Sequence, residues 1–187
     1  MRGFILGIVL TLAVSVGGAY AAVSQGWVPA NADSPPSRLE AWAARKSLHM
    51  TLDREAPRTP DPVALTDANL IAGIKLYGAN CAACHGVANG MASNIAVGLY
   101  QHAPQLGQHG VTDDPEGVTF WKIKHGIRLT GMPAFSNTLA DTQIWQMTLF
   151  LKHMDALSPA AEKAWKALEN PVQIAPKSAQ PPPRRRG

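Results

Sequence analysis

Cys81-Ala82-Ala83-Cys84-His85 is the stretch on which the reading of the fold turns, because it holds both cysteines of a 187-residue chain. Helical positions three apart face the same way, so the two thiols share a face, and His85 follows four residues after Cys81. This is the spacing for attachment of a c-type haem through both cysteines, with the histidine carried under the ring as an iron ligand. Gly86 leaves room for a porphyrin edge. Four other chemistries use parts of the pattern. A thioredoxin-like redox pair needs a βαβ context. Zinc normally takes four ligands, and an iron–sulfur site usually four cysteines. A disulfide or two free thiols is the plain structural alternative in an oxidising compartment.

A haem iron held by one histidine can take Met or a second His on its other side, and Met raises the potential. After the motif stand Met91, Met132, Met147 and Met154. Met91 is only six residues past His85, too near to reach the opposite face. Met147 and Met154 lie seven apart on an apolar helix face and read as core. Met132 lies in Leu129-Thr130-Gly131-Met132-Pro133-Ala134-Phe135. There Gly131 allows close approach of the backbone and Pro133 stiffens the loop. Met132 is therefore the candidate ligand, with His102, His109, His125 and His153 as rivals.

Outward from the motif, the pattern is helical. Thr66 can cap a helix through Asn80, with Leu70, Ile74 and Tyr77 on one face. Residues 86–112 show no period and read as loop. Asp114-Pro115-Glu116 resembles a helix start with Pro at the first position, the helix running to His125 and stopping at Gly126. Residues 127–137 form a loop. A last long helix begins at Thr138 or Asp141 and reaches about Ala156, and a short one follows near 159–169. No alternating strand run is convincing. The expected fold is all-α, a small helical domain wrapped around one cofactor. Ordered loops this long need a reason, and a flat apolar cofactor supplies it.

The flanks read differently. Phe4 to Val23 is twenty residues without a charge, about what a bilayer core needs of a helix. Arg2 precedes the run and no basic residue follows until Arg38, which places the body outside the cytoplasm. A cleaved signal peptide is the alternative, because Ala19-Tyr20-Ala21 offers an A-x-A site, although a signal's apolar core is usually shorter. Ser37 can cap a helix to about Leu52, with Leu39, Trp42, Ala43 and Met50 on one face. That helix either lies on a membrane or packs on the main domain. The organisation expected is an anchor or signal at 1–27, a linker with a short amphipathic helix at 28–60, a haem domain at 61–157, and a short helix with a Pro- and Arg-rich tail at 158–187.

Charge excludes one class of partner. The chain is basic, at +4, but Lys177, Arg184, Arg185 and Arg186 account for the whole excess, and the rest sums to zero. Such a body has no electrostatic footprint for nucleic acid. A mean hydropathy of −0.06 excludes a multi-span membrane protein.

Over residues 61–157 the sequence resembles a class I monohaem c-type cytochrome. The resemblance rests on Cys81-Ala-Ala-Cys-His85, on Pro104-Gln105-Leu106, on Gly131-Met132-Pro133-Ala134-Phe135 and on an aromatic C-terminal helix. It implies that the Pro104 carbonyl accepts the Nδ1–H of His85, that Leu106 packs on the ring, and that the first and last helices cross near Gly73, Tyr77 and Trp145. Arg128 and Trp121 are weaker candidates for the haem propionates. The anchor, the linker at 28–60 and the basic tail fall outside the family pattern.

Cys81, Cys84, His85, Met132, Pro104 and Leu106 are thus the expected cofactor-binding residues, with His85 and Met132 on the metal. An iron with both axial positions filled has no site for substrate, which points to one-electron transfer rather than catalysis. The expectation is a membrane-tethered carrier, or a small subunit of a respiratory oxidoreductase, with redox proteins of the membrane or periplasm as partners. A haem enzyme or gas sensor in which Met132 is displaced is the alternative. A thiol–disulfide enzyme using Cys81 and Cys84 is a third reading.

Overall fold

The computed structural model describes residues 1–88, 92–169 and 171–172. Met91, the side chain of His109 and the Pro- and Arg-rich tail from 173 lie outside them. The chain divides into two units, Met1–Ser34 and Pro35–Gly187. The first is dominated by α1, Arg2–Ser24, in which no residue is buried. It is long and apolar enough to cross a membrane, with a mean hydropathy of 2.1.

The second unit is built of helices, and no strand occurs among the described residues. Ser37 caps α2, Arg38–Glu55, its side chain accepting from the Glu40 N–H. Thr66 caps α3, Asp67–Asn80, in the same way, accepting from Asn69. The motif itself forms one helical turn, α4, Ala82–His85, which ends where Gly86 takes φ 78°. The stretch 86–112, expected as loop, holds two short helices, α5 (Asn94–Gly98) and α6 (Leu106–His109). Four or five residues are too few to show a period in sequence. α7, Glu116–His125, starts one residue later than expected, with Pro115 as its cap. It stops at Gly126, whose φ of 65° a side chain would strain. α8 runs Asp141–Lys152, and a separate 3-10 turn at Met154–Ala156 replaces the end of the expected long helix. α9 is Pro159–Lys166, capped by Ser158.

The core lies where α3 meets α8 and α9. A Cβ at Gly73 would stand 2.1 Å from the Gln146 carbonyl oxygen, so the two backbones can touch only there at a glycine. Around this crossing Ile74, Tyr77, Ile144, Met147 and Phe150 are all fully buried. Tyr77 meets Phe150 and Trp165 edge-on, each at 5.5 Å between ring centroids, and Trp145 stacks on Phe120 of α7 at 4.1 Å. The crossing expected at Gly73 and Tyr77 is observed, but the aromatic rings that meet Tyr77 are Phe150 and Trp165, while Trp145 stacks on α7. Lys152 of α8 ties in the loop before α7, donating to the carbonyls of Thr112 at 2.6 Å and Asp114 at 3.0 Å.

The chain from α2 to α3 is held to the start of α7. The Asp61 N–H donates to Glu116 at 2.8 Å, and Asp61 Oδ1 accepts from Val63 at 2.7 Å. Asp61 Oδ2 is buried with no partner among the described residues. Burial pushes this carboxyl up to about 6; the Val63 hydrogen bond opposes the rise, and the Glu116 charge adds to it. The folded state therefore holds the Asp61 proton more tightly than the unfolded chain does. Stability from this group is present below the ordinary value of 3.8 and is lost as the pH rises through about 6. Asp61→Asn is expected to raise Tm at pH 7 and to leave it nearly unchanged at pH 4. An equal shift at both values would assign the effect to something other than the carboxyl's charge.

Candidate functional site

α4 hangs from the end of α3, and three contacts fix it. The Tyr77 hydroxyl, deep in the core, donates to the Gly86 carbonyl at 2.8 Å. Ser93 at the cap of α5 donates to the Ala83 carbonyl. The Gln105 amide donates to the Cys84 carbonyl at 3.0 Å. Within the turn, the N–H groups of Cys84 and His85 both bond to the Cys81 carbonyl, at 3.0 and 2.9 Å. The core thus sets the position of the turn, and the turn sets the direction of its side chains.

His85 Nδ1 lies 2.8 Å from the Pro104 carbonyl oxygen. A carbonyl only accepts, so Nδ1 carries the hydrogen and Nε2 is left with its lone pair. Burial holds the pKa of His85 below its ordinary value, against the smaller opposing effect of the Pro104 bond. The ring is therefore neutral at neutral pH, as a metal ligand must be. The bond to a backbone carbonyl also fixes the ring's orientation and raises its basicity.

Met132 comes from the loop after α7, and that loop is tied to itself. Ile127 N–H donates to the Met132 carbonyl at 3.1 Å, the Thr130 hydroxyl to the Ile127 carbonyl at 2.7 Å, and the Met132 N–H to the Thr130 hydroxyl at 3.1 Å. Leu129 at its tip is held at φ 60°, a conformation rare for a non-glycine residue.

A cavity of about 750 Å³ lies between these parts, within the usual range of cofactor and ligand sites. Cys84, His85, Pro104 and Met132 all line it, as do the weaker candidates Trp121 and Arg128. Cys81 and Leu106 are not among its lining residues. Both are half-buried against the hydrophobic core, Leu106 at the first position of α6. Of the rival histidines, His102 and His125 reach the cavity and His153 does not.

Sequence reading missed one wall of the cavity. Glu40, Ala44, Arg45, Ser47, Leu48 and Thr51 of α2 line it. The face of α2 singled out in the sequence points the other way, with Leu39 72%, Trp42 62% and Met50 49% exposed. The signal that marks the inner side is the four-residue spacing of Ala44, Leu48 and Leu52, of which Leu52 is buried.

The residues present fit a haem and fit the other chemistries poorly. Burial, with the neighbouring Cys84 adding, pushes the Cys81 thiol up to about 12, far above the range of an attacking thiolate in disulfide exchange. Among the described residues no cluster of three or more His, Cys, Asp and Glu side chains is placed to hold a metal ion, so zinc lacks its donors. A histidine with Nε2 free and a methionine face one large cavity beside paired cysteines, which is the donor set of a haem held by His and Met.

Tyr77→Phe keeps the ring packing and removes the donor to Gly86. A buried carbonyl left without its partner costs roughly 1–3 kcal/mol. Chemical denaturation of the variant is expected to show a loss of that size. A loss near zero would mean that the turn is held by its other contacts.

Residues 68–151 match the family described as cytochrome C oxidase, cbb3-type, subunit III. No curated protein and no solved structure matched the chain. The matched stretch takes in α3 to α8 up to Leu151, with the motif turn and the Met132 loop. The match supports a c-type cytochrome over this stretch, consistent with the monohaem class I type, and haem-based electron transfer as its chemistry.

Proposed function

We propose that this cytochrome domain carries single electrons at one haem c, which Cys81 and Cys84 would bind covalently and whose iron His85 and Met132 would ligate. The observation that carries the reading is the convergence of Cys84, His85 and Met132 on one cavity, with His85 Nδ1 already bonded to Pro104. The bound group supplies an iron that changes between the ferrous and ferric states, and the protein supplies its position, its ligands and its surroundings. His85 presents Nε2, its other nitrogen being fixed by Pro104. Met132 presents a soft thioether from a self-tied loop, which favours the ferrous state and a high potential. With both in place, neither substrate nor water has a position to take. Leu106 packs against the core and not on the cavity, so the ring contact expected of it has no support in the geometry. This arrangement suits electron transfer and not catalysis.

The domain is read as a tethered carrier or a small subunit of an oxidoreductase, in keeping with the oxidase subunit that the family's description names. α1 supports the tether by its length and apolar composition. The lone charge before it and the absence of basic residues up to Arg38 support an extracytoplasmic haem domain, and residues 28–60 serve as linker. Redox proteins of the membrane or periplasm are the partners. A tether keeps the domain near them at a raised local concentration.

Met132→Ala in the haem-loaded protein is expected to change a low-spin spectrum to high-spin and to lower the potential. An unchanged low-spin spectrum would hand the ligand role to His102 or His125, which line the same cavity. Carbon monoxide binding by the unmodified ferrous protein would favour the gas sensor or haem enzyme instead.

After mild membrane extraction, N-terminal sequencing is expected to find Met1 or Arg2 on the haem-bearing protein. A soluble form beginning near Ala22 would make α1 a signal.

A further inference from the structure

One of the helices that the family match leaves out stands on the cavity. α2, Arg38–Glu55, lies outside residues 68–151, yet Glu40, Ala44, Ser47, Leu48 and Thr51 line the same space as His85 and Met132. At 3.6 residues per turn these five fall in one stripe about 100° wide. The helix is fastened at both ends. At its start the Tyr100 hydroxyl donates to Glu40 Oε1 at 2.6 Å. At its end Leu52 is buried. Beyond that, the Pro57 carbonyl presses on α7 at Gly117, where a Cβ would stand 1.8 Å from the oxygen. Arg45 also lines the cavity, and it pairs with no carboxylate among the described residues. A cation so placed matches the acid groups that haem c carries.

We propose that α2 is a strap that walls one side of the haem crevice and limits the access of water to the cofactor, with the Glu40–Tyr100 hydrogen bond as its latch. This rests on the haem reading above and adds to it a segment outside the cytochrome family match. The shell around a metal site sets solvent access and local dielectric, and hence the potential. Oxidation adds a positive charge to the iron, which a dry wall disfavours. A closed strap therefore raises the potential, and Arg45 acts in the same direction.

The test uses the full chain loaded with haem, and reads the midpoint potential together with backbone hydrogen exchange across residues 40–52. Tyr100→Phe is a mild surface change that removes the latch donor. Leu48→Gln places a polar group in the wall, and Trp42→Ala alters the outer face of the same helix. Tyr100→Phe and Leu48→Gln are expected to lower the potential, and Trp42→Ala to leave it unchanged. Tyr100→Phe is expected to speed exchange across 40–52 by roughly two- to threefold, the effect of losing one exposed hydrogen bond. Wild-type potentials in Tyr100→Phe and Leu48→Gln alike, or wild-type exchange across 40–52 as fast as in the linker at 28–36, would overturn the strap. Failure of the haem reading shows separately, as protein with free thiols and no visible absorption.

Discussion

The backbone of α3 touches that of α8 at Gly73, and the rest of the second unit is placed by that contact. With the two helices this close, Tyr77 one turn further along α3 is driven into the core against Phe150 and Trp165. Its hydroxyl then emerges at a single point, the Gly86 carbonyl. The motif turn is thus suspended from the core by the polar end of a core residue. A side chain at Gly73 would have to push the helices apart, and the displacement would travel along α3 into the turn that carries His85.

The site is assembled from opposite ends of the sequence order. His85 comes from the turn after α3 and is aimed by Pro104, nineteen residues on. Met132 comes from the loop after α7, and α7 is itself locked to α8 through the Phe120–Trp145 stack. Both ligand candidates therefore refer back to the same helical crossing. The polar contacts near the cavity are mostly to backbone carbonyls, which cannot change charge. The bonds that aim the motif turn and His85 are insulated in this way from pH, while the pH-sensitive carboxyl of Asp61 sits apart, at the junction of the linker and α7.

Much of this was legible in the sequence, for physical reasons that differ by element. Cys81, Cys84 and His85 stand out because covalent attachment of a haem would demand this fixed spacing. Thr66, Ser37 and Gly126 mark helix ends because capping and positive φ are local chemistry. The helices within 86–112 were not legible, since they are single turns held by Ser93 and by tertiary contacts rather than by any periodic face. α2 was legible as a helix but not in its orientation. Its conspicuous apolar residues, Leu39, Trp42 and Met50, are the exposed ones, and the small inner residues Ala44 and Ser47 give no hydrophobic signal. A helix that lines a cavity rather than packing on other side chains need not be amphipathic in the ordinary sense.

The Met132 loop illustrates preorganisation. Three hydrogen bonds among Ile127, Thr130 and Met132 close it on itself, and Leu129 is fixed in a conformation that an unrestrained chain would seldom visit. The entropic penalty of ordering those residues thus falls on folding, leaving only the thioether's own rotamers to be settled when it meets a metal. In the proposed role as iron ligand, a thioether delivered by so stiff a hairpin of backbone would have little room to relax between two oxidation states, which is the condition for a small reorganisation energy.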